Sequence, residues 1–173
     1  MSRTEEQGKE NTICGLVNLT VRCNQDCIFC CDGDVKESGH DLTTDQAKEK
    51  IEALRAGGAE SVTIIGGEPL VRKDIVELVE YSRGIGLSVG ITSNGTPLTE
   101  KLLQRLVQAG LTSIEISMHA HSPELSRTIS QRFFTPDRQV RALTLLGGLG
   151  SAGPGVSINF VLFSANYHEL PVF

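Results

Sequence analysis

Ile13-Cys14-Gly15-Leu16-Val17-Asn18-Leu19-Thr20-Val21-Arg22-Cys23-Asn24-Gln25-Asp26-Cys27-Ile28-Phe29-Cys30 is an apolar run that leads directly into a cysteine-bearing loop. Residues 13–21 concentrate β-branched and apolar side chains and read as a strand. In the loop, spacings of four and three residues let one segment fold three thiolates around a single soft metal centre. Thiolates suit zinc and iron–sulfur clusters alike. A structural zinc site wants four protein ligands, often as two separated pairs, whereas Cys23, Cys27 and Cys30 form a compact triad and the next histidine is His40. Three ligands on a four-iron cluster leave one iron open to another group. Cys31 adjoins Cys30 and is poorly placed to share the same small cluster, and Cys14, inside the apolar run, reads as a small buried residue.

The pattern repeats outward from that stretch. Thr43-Thr44-Asp45-Gln46 has capping-box spacing, with Thr43 as cap and Gln46 reaching back. Ala47, Ile51 and Leu54 then share one helical face, and Gly57-Gly58 ends the helix. Ser61–Ile65 reads as a second strand, broken by Gly66-Gly67-Glu68-Pro69. Ile75, Leu78 and Val79 mark a helix closed by Gly84 to Gly86, and Leu87–Thr92 is a third strand ending at Ser93-Asn94-Gly95. Thr99 is expected to cap a helix that buries Leu102, Leu103 and Leu106, with Gly110 as its stop. Thr112–Met118 is a fourth strand. Ser122-Pro123-Glu124-Leu125 resembles a helix start. Thr135-Pro136 reads as a cap followed by proline in the first turn of a helix running to about Leu149. Val156–Phe163 is a fifth strand, and Asn166–Phe173 is a connection or the start of another helix.

Five strands joined by helical segments indicate an α/β fold, a parallel sheet covered by helices on one face or both. Right-handed crossovers permit an open barrel or a doubly wound sheet. Residues 1–12 read as a polar N-terminal tail and 13–173 as one domain. Because the chain stops just after an apolar strand, that domain is expected to be incomplete at its C-terminus.

Composition narrows the function. The chain has 173 residues, 39% hydrophobic and 21% charged, with a net charge of −5, which is ordinary for one globular domain. Lys and Arg are scattered singly, so no nucleic-acid partner is expected. The N-terminus lacks the apolar stretch of a secretory signal, and no run approaches the roughly 18 apolar residues of a membrane span. A cytoplasmic protein is expected. The five cysteines are an odd count, and four of them lie between Cys23 and Cys31, which argues against a disulfide framework and toward metal or redox work.

With those residues in view, the sequence resembles the radical S-adenosylmethionine (SAM) superfamily. The segment Leu19 to Cys30 matches that family's CxxxCxφC signature, with Phe29 in the aromatic position. Gly66-Gly67-Glu68-Pro69 matches its GGEP motif after the second strand, at a distance that leaves room for one βα unit. Ile91-Thr92-Ser93-Asn94-Gly95, Ile114-Glu115-Ile116-Ser117-Met118, and Val156 to Val161 with Asn166 look like the family's third, fourth and fifth strand regions. The resemblance covers about residues 13–170 and points to the branch of molybdenum-cofactor biosynthesis and peptide-modifying enzymes. It implies a partial (β/α)6 TIM-like barrel, here with about five strands.

The resemblance also implies roles. Cys23, Cys27 and Cys30 would ligate a 4Fe–4S cluster whose fourth iron chelates the amino and carboxylate groups of SAM. One electron would then cleave SAM to methionine and a 5′-deoxyadenosyl radical that takes hydrogen from a substrate. The Gly66 and Gly67 carbonyls would accept from the SAM ammonium, with a charge-assisted bond from Glu68. Backbone around Phe29 would meet the adenine while the ring shields the cluster. Ser93, Asn94 and Ser117 are candidates for the methionine carboxylate or ribose, and Asn159 and Val161 for the adenine. The implied partners are SAM, a small-molecule or peptide substrate and an electron donor such as flavodoxin or ferredoxin.

Plainer readings stand beside these. Gly66-Gly67-Glu68-Pro69 alone also suits a tight turn, and Ser93-Asn94-Gly95 is turn chemistry as well as ligand chemistry. His119 and His121, just past the fourth strand, could touch substrate or handle a proton but read first as surface or loop-packing histidines, and Phe133-Phe134 reads as core or interface. The competing function is a non-catalytic zinc- or cluster-binding module, or an inactive truncated family member.

Overall fold

The computed structural model describes residues 12–30 and 39–172. Strands β1 (Cys14–Asn18), β2 (Ser61–Ile65), β3 (Ser88–Ser93), β4 (Ser113–Ser117) and β5 (Gly155–Asn159) form one all-parallel sheet in the order β1-β2-β3-β4-β5. Helices α1 (Thr44–Ala56), α2 (Ile75–Gly84) and α3 (Glu100–Gln108) occupy the first three crossovers, and the pair α4 (Pro123–Ser130) and α5 (Thr135–Gly147) the fourth. A doubly wound sheet needs a reversal of strand order to carry helices on its second face. The order here never reverses, so right-handed crossovers put the helices on one side, as in a TIM-like barrel left open.

Strand alternation divides the residues accordingly. Val17, Val62, Ile64, Val89, Ile91, Ile114 and Ile116 are buried in one core with Ile51, Leu78, Leu106 and Leu146 of the helices. Leu16, Thr63, Thr92, Glu115 and Ser117 face the helix-free side. On β5 the residues in register with that core, Val156 and Ile158, are each 46% exposed.

The caps expected at Thr43 and Thr99 hold. Thr43 accepts from Gln46 N–H while Gln46 reaches back to the Thr43 N–H. Thr99 accepts from Leu102 N–H at 3.2 Å. Caps of this kind contribute about 1 kcal/mol each. Four expectations are corrected. Cys14, expected to be buried, is exposed, because strand alternation sets it on the helix-free face of β1. β1 stops at Asn18, short of Val21, because Asp41 takes over the next groups: its carboxylate accepts from the Thr20 hydroxyl and the Val21 N–H. β5 stops at Asn159, short of Phe163, because side chains replace the ladder: His119 Nδ1 accepts from Val161 N–H and Asn166 from Phe163 N–H. Thr135 is the first residue of α5 rather than its cap, and its hydroxyl bonds instead to Gln25 and Ser130. Cys31, Phe173 and all but the last residue of the expected tail lie outside the described residues. Among the described residues no helix is long and apolar enough to cross a membrane.

Candidate functional site

The carboxyl ends of the strands carry the motifs, and a set of buried polar contacts draws them together. Arg72 is 6% exposed, and its Nη1 donates to the carbonyls of Leu19 at 2.7 Å and Leu42 at 2.8 Å. Its other nitrogens hold the Asp74 carboxylate at 2.6 and 2.9 Å. Leu19 and Leu42 flank the cysteine-bearing loop, so one guanidinium fastens both of its ends to the segment after β2.

The glycines dock that loop more directly. Gly67 N–H donates to Thr20 O and Glu68 N–H to Arg22 O, both at 2.8 Å. A Cβ at Gly67 would lie 2.4 Å from the Arg22 oxygen, and one at Gly66, where φ is +147°, would lie 2.5 Å from the Thr20 oxygen. Glycine is demanded by this backbone contact before any cofactor is considered.

Glu68, expected against the SAM ammonium, has no exposed surface and does not line the cavity. Its carboxylate accepts from Leu70 N–H at 2.9 Å, the Ser93 hydroxyl at 2.8 Å and Asn94 N–H at 2.7 Å. Burial pushes its pKa up to about 7, with the three donors pulling the other way. Asn94 continues the chain of contacts. Its Nδ2 donates to Asn24 Oδ1 at 2.8 Å, its Oδ1 accepts from Thr96, and Asn24 Nδ2 donates to Thr96 Oγ1. The cysteine loop is thereby locked to the end of β3. Gln139 of α5, 3% exposed, then bridges β3 and β4 by donating to the carbonyls of Asn94 and Ser117.

These contacts leave a cavity of about 320 Å³ at the strand ends. Cys23, Cys27, Phe29 and Cys30 line it from the loop, Gly66 and Gly67 from the turn after β2, and Ser93, Asn94, Ser117 and Val161 from the ends of the later strands and the residues just past them. Ten of the twelve sequence-derived site residues thus share one space. Asn159 joins Glu68 outside it, with its amide directed at Glu115. Among the described residues the Ser117 hydroxyl has no hydrogen-bond partner, whereas those of Ser93 and Thr96 are consumed internally.

Gln25, Thr92 and His119 also line the cavity; the sequence offered a substrate or proton role only for His119, as the alternative to loop packing, and none for Gln25 or Thr92. His119 Nδ1 accepts from Val161 N–H at 3.0 Å, and its ring meets Phe29 edge-on at 4.8 Å. Burial brings its pKa down to about 4, so the imidazole is neutral and its proton sits on Nε2.

The donor set fits an iron–sulfur cluster. Gln25 N–H points at Cys23 Sγ from 3.4 Å and Asn94 Nδ2 from 3.9 Å, contacts that favour a thiolate. Among the described residues no three His, Cys, Asp or Glu side chains gather about a single ion. Three thiols lining one cavity are soft ligands of the kind a multi-iron centre takes, one fewer than a tetrahedral structural zinc requires.

Residues 17–172 match the family model described as the Radical SAM superfamily. The chain belongs to that superfamily. The cofactors of radical SAM proteins are a 4Fe–4S cluster and SAM, and the thiols and glycines that line the cavity belong to the two motifs by which the sequence resembles that family. This radical SAM chain is 33% identical over 168 residues to the mycofactocin maturase MftC of Mycobacterium tuberculosis, covering 97% of itself and 42% of the relative. It is 33% identical over 157 residues to a probable GTP 3′,8-cyclase of Methanothermobacter marburgensis, covering 89% and 50%. Both relatives fall in the branch read from the sequence. The chain therefore spans about half the length of the curated relatives it matches or less. Streptococcus suis SuiB bound to S-adenosylmethionine shares the fold, with a TM-score of 0.72 at 19% identity over 92% of this chain and 35% of that one.

Proposed function

We propose that this chain is the core, residues 13–173, of a radical SAM enzyme that abstracts hydrogen from a peptide or small-molecule substrate. Cys23, Cys27 and Cys30 would hold the cluster, which when bound supplies the electron that cleaves SAM to methionine and a 5′-deoxyadenosyl radical. The observation that carries this reading is the shared cavity: three thiols and the Gly66–Gly67 backbone line the same space. Gly66 and Gly67 would present backbone acceptors to the SAM ammonium, and Ser117 an uncommitted hydroxyl to its carboxylate or ribose. Glu68 would act through Ser93 and Asn94 rather than by touch. Phe29 and His119, packed edge to face, would close the wall and exclude water from a reactive radical. The names of the relatives support a peptide or nucleotide-derived substrate. A one-electron donor such as flavodoxin or ferredoxin would supply reducing power, and the clustered thiols suit the reducing cytoplasm.

The test is anaerobic iron–sulfur reconstitution followed by EPR of the reduced protein with and without SAM. A 4Fe–4S signal that changes on adding SAM is the expected result. A SAM-insensitive cluster, or zinc with no cluster, would replace this reading with a non-catalytic binding module.

A further inference from the structure

Two glutamates near the cavity are held in opposite ways. Glu68 is fully buried and receives three donors shared between both its oxygens. Glu115 sits half-buried at the middle of β4 on the helix-free face. Its Oε1 accepts from Thr92 Oγ1 and from Asn159 Nδ2, each at 3.3 Å, while Oε2 has no hydrogen-bond partner among the described residues. Thr92 is its register partner on β3 and lines the cavity, as does Ser117 two residues further along β4, so Glu115 neighbours two cavity-lining residues. Every other described strand residue on this face is Ser, Thr, Asn, Gly, Cys or an apolar residue, which makes Glu115 the one charged side chain among them.

We propose that Glu115 recognises a cationic group, an ammonium or a guanidinium, on the substrate. The inference rests on the enzymatic reading above and adds the substrate's charge to it. Glu68, which is fully buried, is saturated by internal donors. Glu115 instead has one oxygen fixed by two neighbours and the other presented to the open face. It is the one negative charge among the strand residues of this face, and the donor that its second oxygen lacks within the described residues can come from a ligand. A positive donor reaching Oε2 forms a charge-assisted bond with the carboxylate already oriented.

The test uses the cluster-reconstituted, SAM-loaded chain, titrated calorimetrically with n-butylguanidinium, n-butylammonium and the neutral n-butylurea. The cations are expected to bind at least about tenfold more tightly than the urea, the size of one charge-assisted bond. Glu115→Gln keeps the shape and removes the charge, and is expected to abolish that preference. Ser157→Lys, at the exposed position in register with Glu115 on β5, sets an internal ammonium beside it and is expected to do the same. SAM affinity read in parallel reports whether each variant retains its cofactor site. Wild type without a cation preference, or either variant keeping it, overturns the proposal. Failure of the wild type to bind SAM would overturn the enzymatic reading, and this one with it; SAM binding without a Glu115-dependent preference overturns this one alone.

Discussion

Asn94 N–H donates to Glu68 Oε2 at 2.7 Å and so ties the end of β3 to the end of β2 beneath the cavity. The contact makes the glutamate of the Gly66–Pro69 motif a brace between strands. Glu68→Ala would strand the N–H groups of Leu70 and Asn94 and the Ser93 hydroxyl in a buried setting. The expected loss is at least about 2 kcal/mol of stability by urea unfolding, with weaker SAM binding as a consequence of the displaced strand ends. Unchanged stability would mean that water satisfies those donors as well as the carboxylate does.

The same glutamate and His119 make opposing contributions to pH dependence. Between pH 4.5 and about 7 the folded chain keeps a proton on Glu68 that the unfolded chain has released, so stability falls as pH rises. Between about pH 4 and 6.5 the unfolded chain binds a proton at His119 that the folded chain refuses, so stability rises. In the cluster-free chain the two contributions oppose each other where the windows overlap. Glu68→Gln should expose the rise and His119→Gln the fall, measured as urea midpoints across pH 4.5–7. Profiles parallel to wild type in both variants would contradict the assignment.

Much of this was legible in the sequence for local reasons. The limits of β2 follow from Gly66 directly after Ile65, and α1 begins where Thr43 and Gln46 can close a capping box. The overshoot at β1 and β5 was not legible, because Asp41, His119 and Asn166 capture backbone groups from outside those strands. Gln139 left one signal, a polar residue inside the buried stripe of Pro136, Ala142 and Leu146. Glu68 left none: a glutamate beside a ligand-binding turn reads the same whether it points into the cavity or under it. That the three cysteines and the glycine pair line one cavity was legible because each motif is short and reads without tertiary information.

The glycines offer a sharp contrast. Gly67→Ala sets a methyl 2.4 Å from the Arg22 oxygen, a backbone atom that cannot yield without breaking the Glu68–Arg22 hydrogen bond. That variant is expected to lose stability and to assemble little cluster. At Gly147, the last residue of α5, an added methyl would meet nothing within 4 Å. Gly147→Ala is expected to be neutral or to stabilise by up to about 1 kcal/mol. Thermal unfolding and iron content of both variants check the pair, and similar behaviour would refute the contact.

Cluster assembly separates the cysteines. Cys23, Cys27 and Cys30 line the cavity at the carboxyl end of the sheet, whereas Cys14 is exposed at the start of β1. Single alanine substitutions at the first three are expected to abolish most bound iron and sulfide, and Cys14→Ala to leave both unchanged. Full iron and sulfide in all three cavity variants would overturn the ligand set.

Arg72 tests whether the loop must be fastened before it can hold a cluster. Lysine in its place has one nitrogen where arginine uses three, so it can reach one carbonyl or the Asp74 carboxylate but not the whole set. The Leu19 and Leu42 carbonyls would then lose a donor at the two ends of the cysteine loop. Arg72→Lys is therefore expected to cost about 1–3 kcal/mol by urea unfolding. It should also speed iron loss to a chelator, although every cysteine is intact. Wild-type chelation kinetics with reduced stability would show that Arg72 supports the fold without positioning the loop.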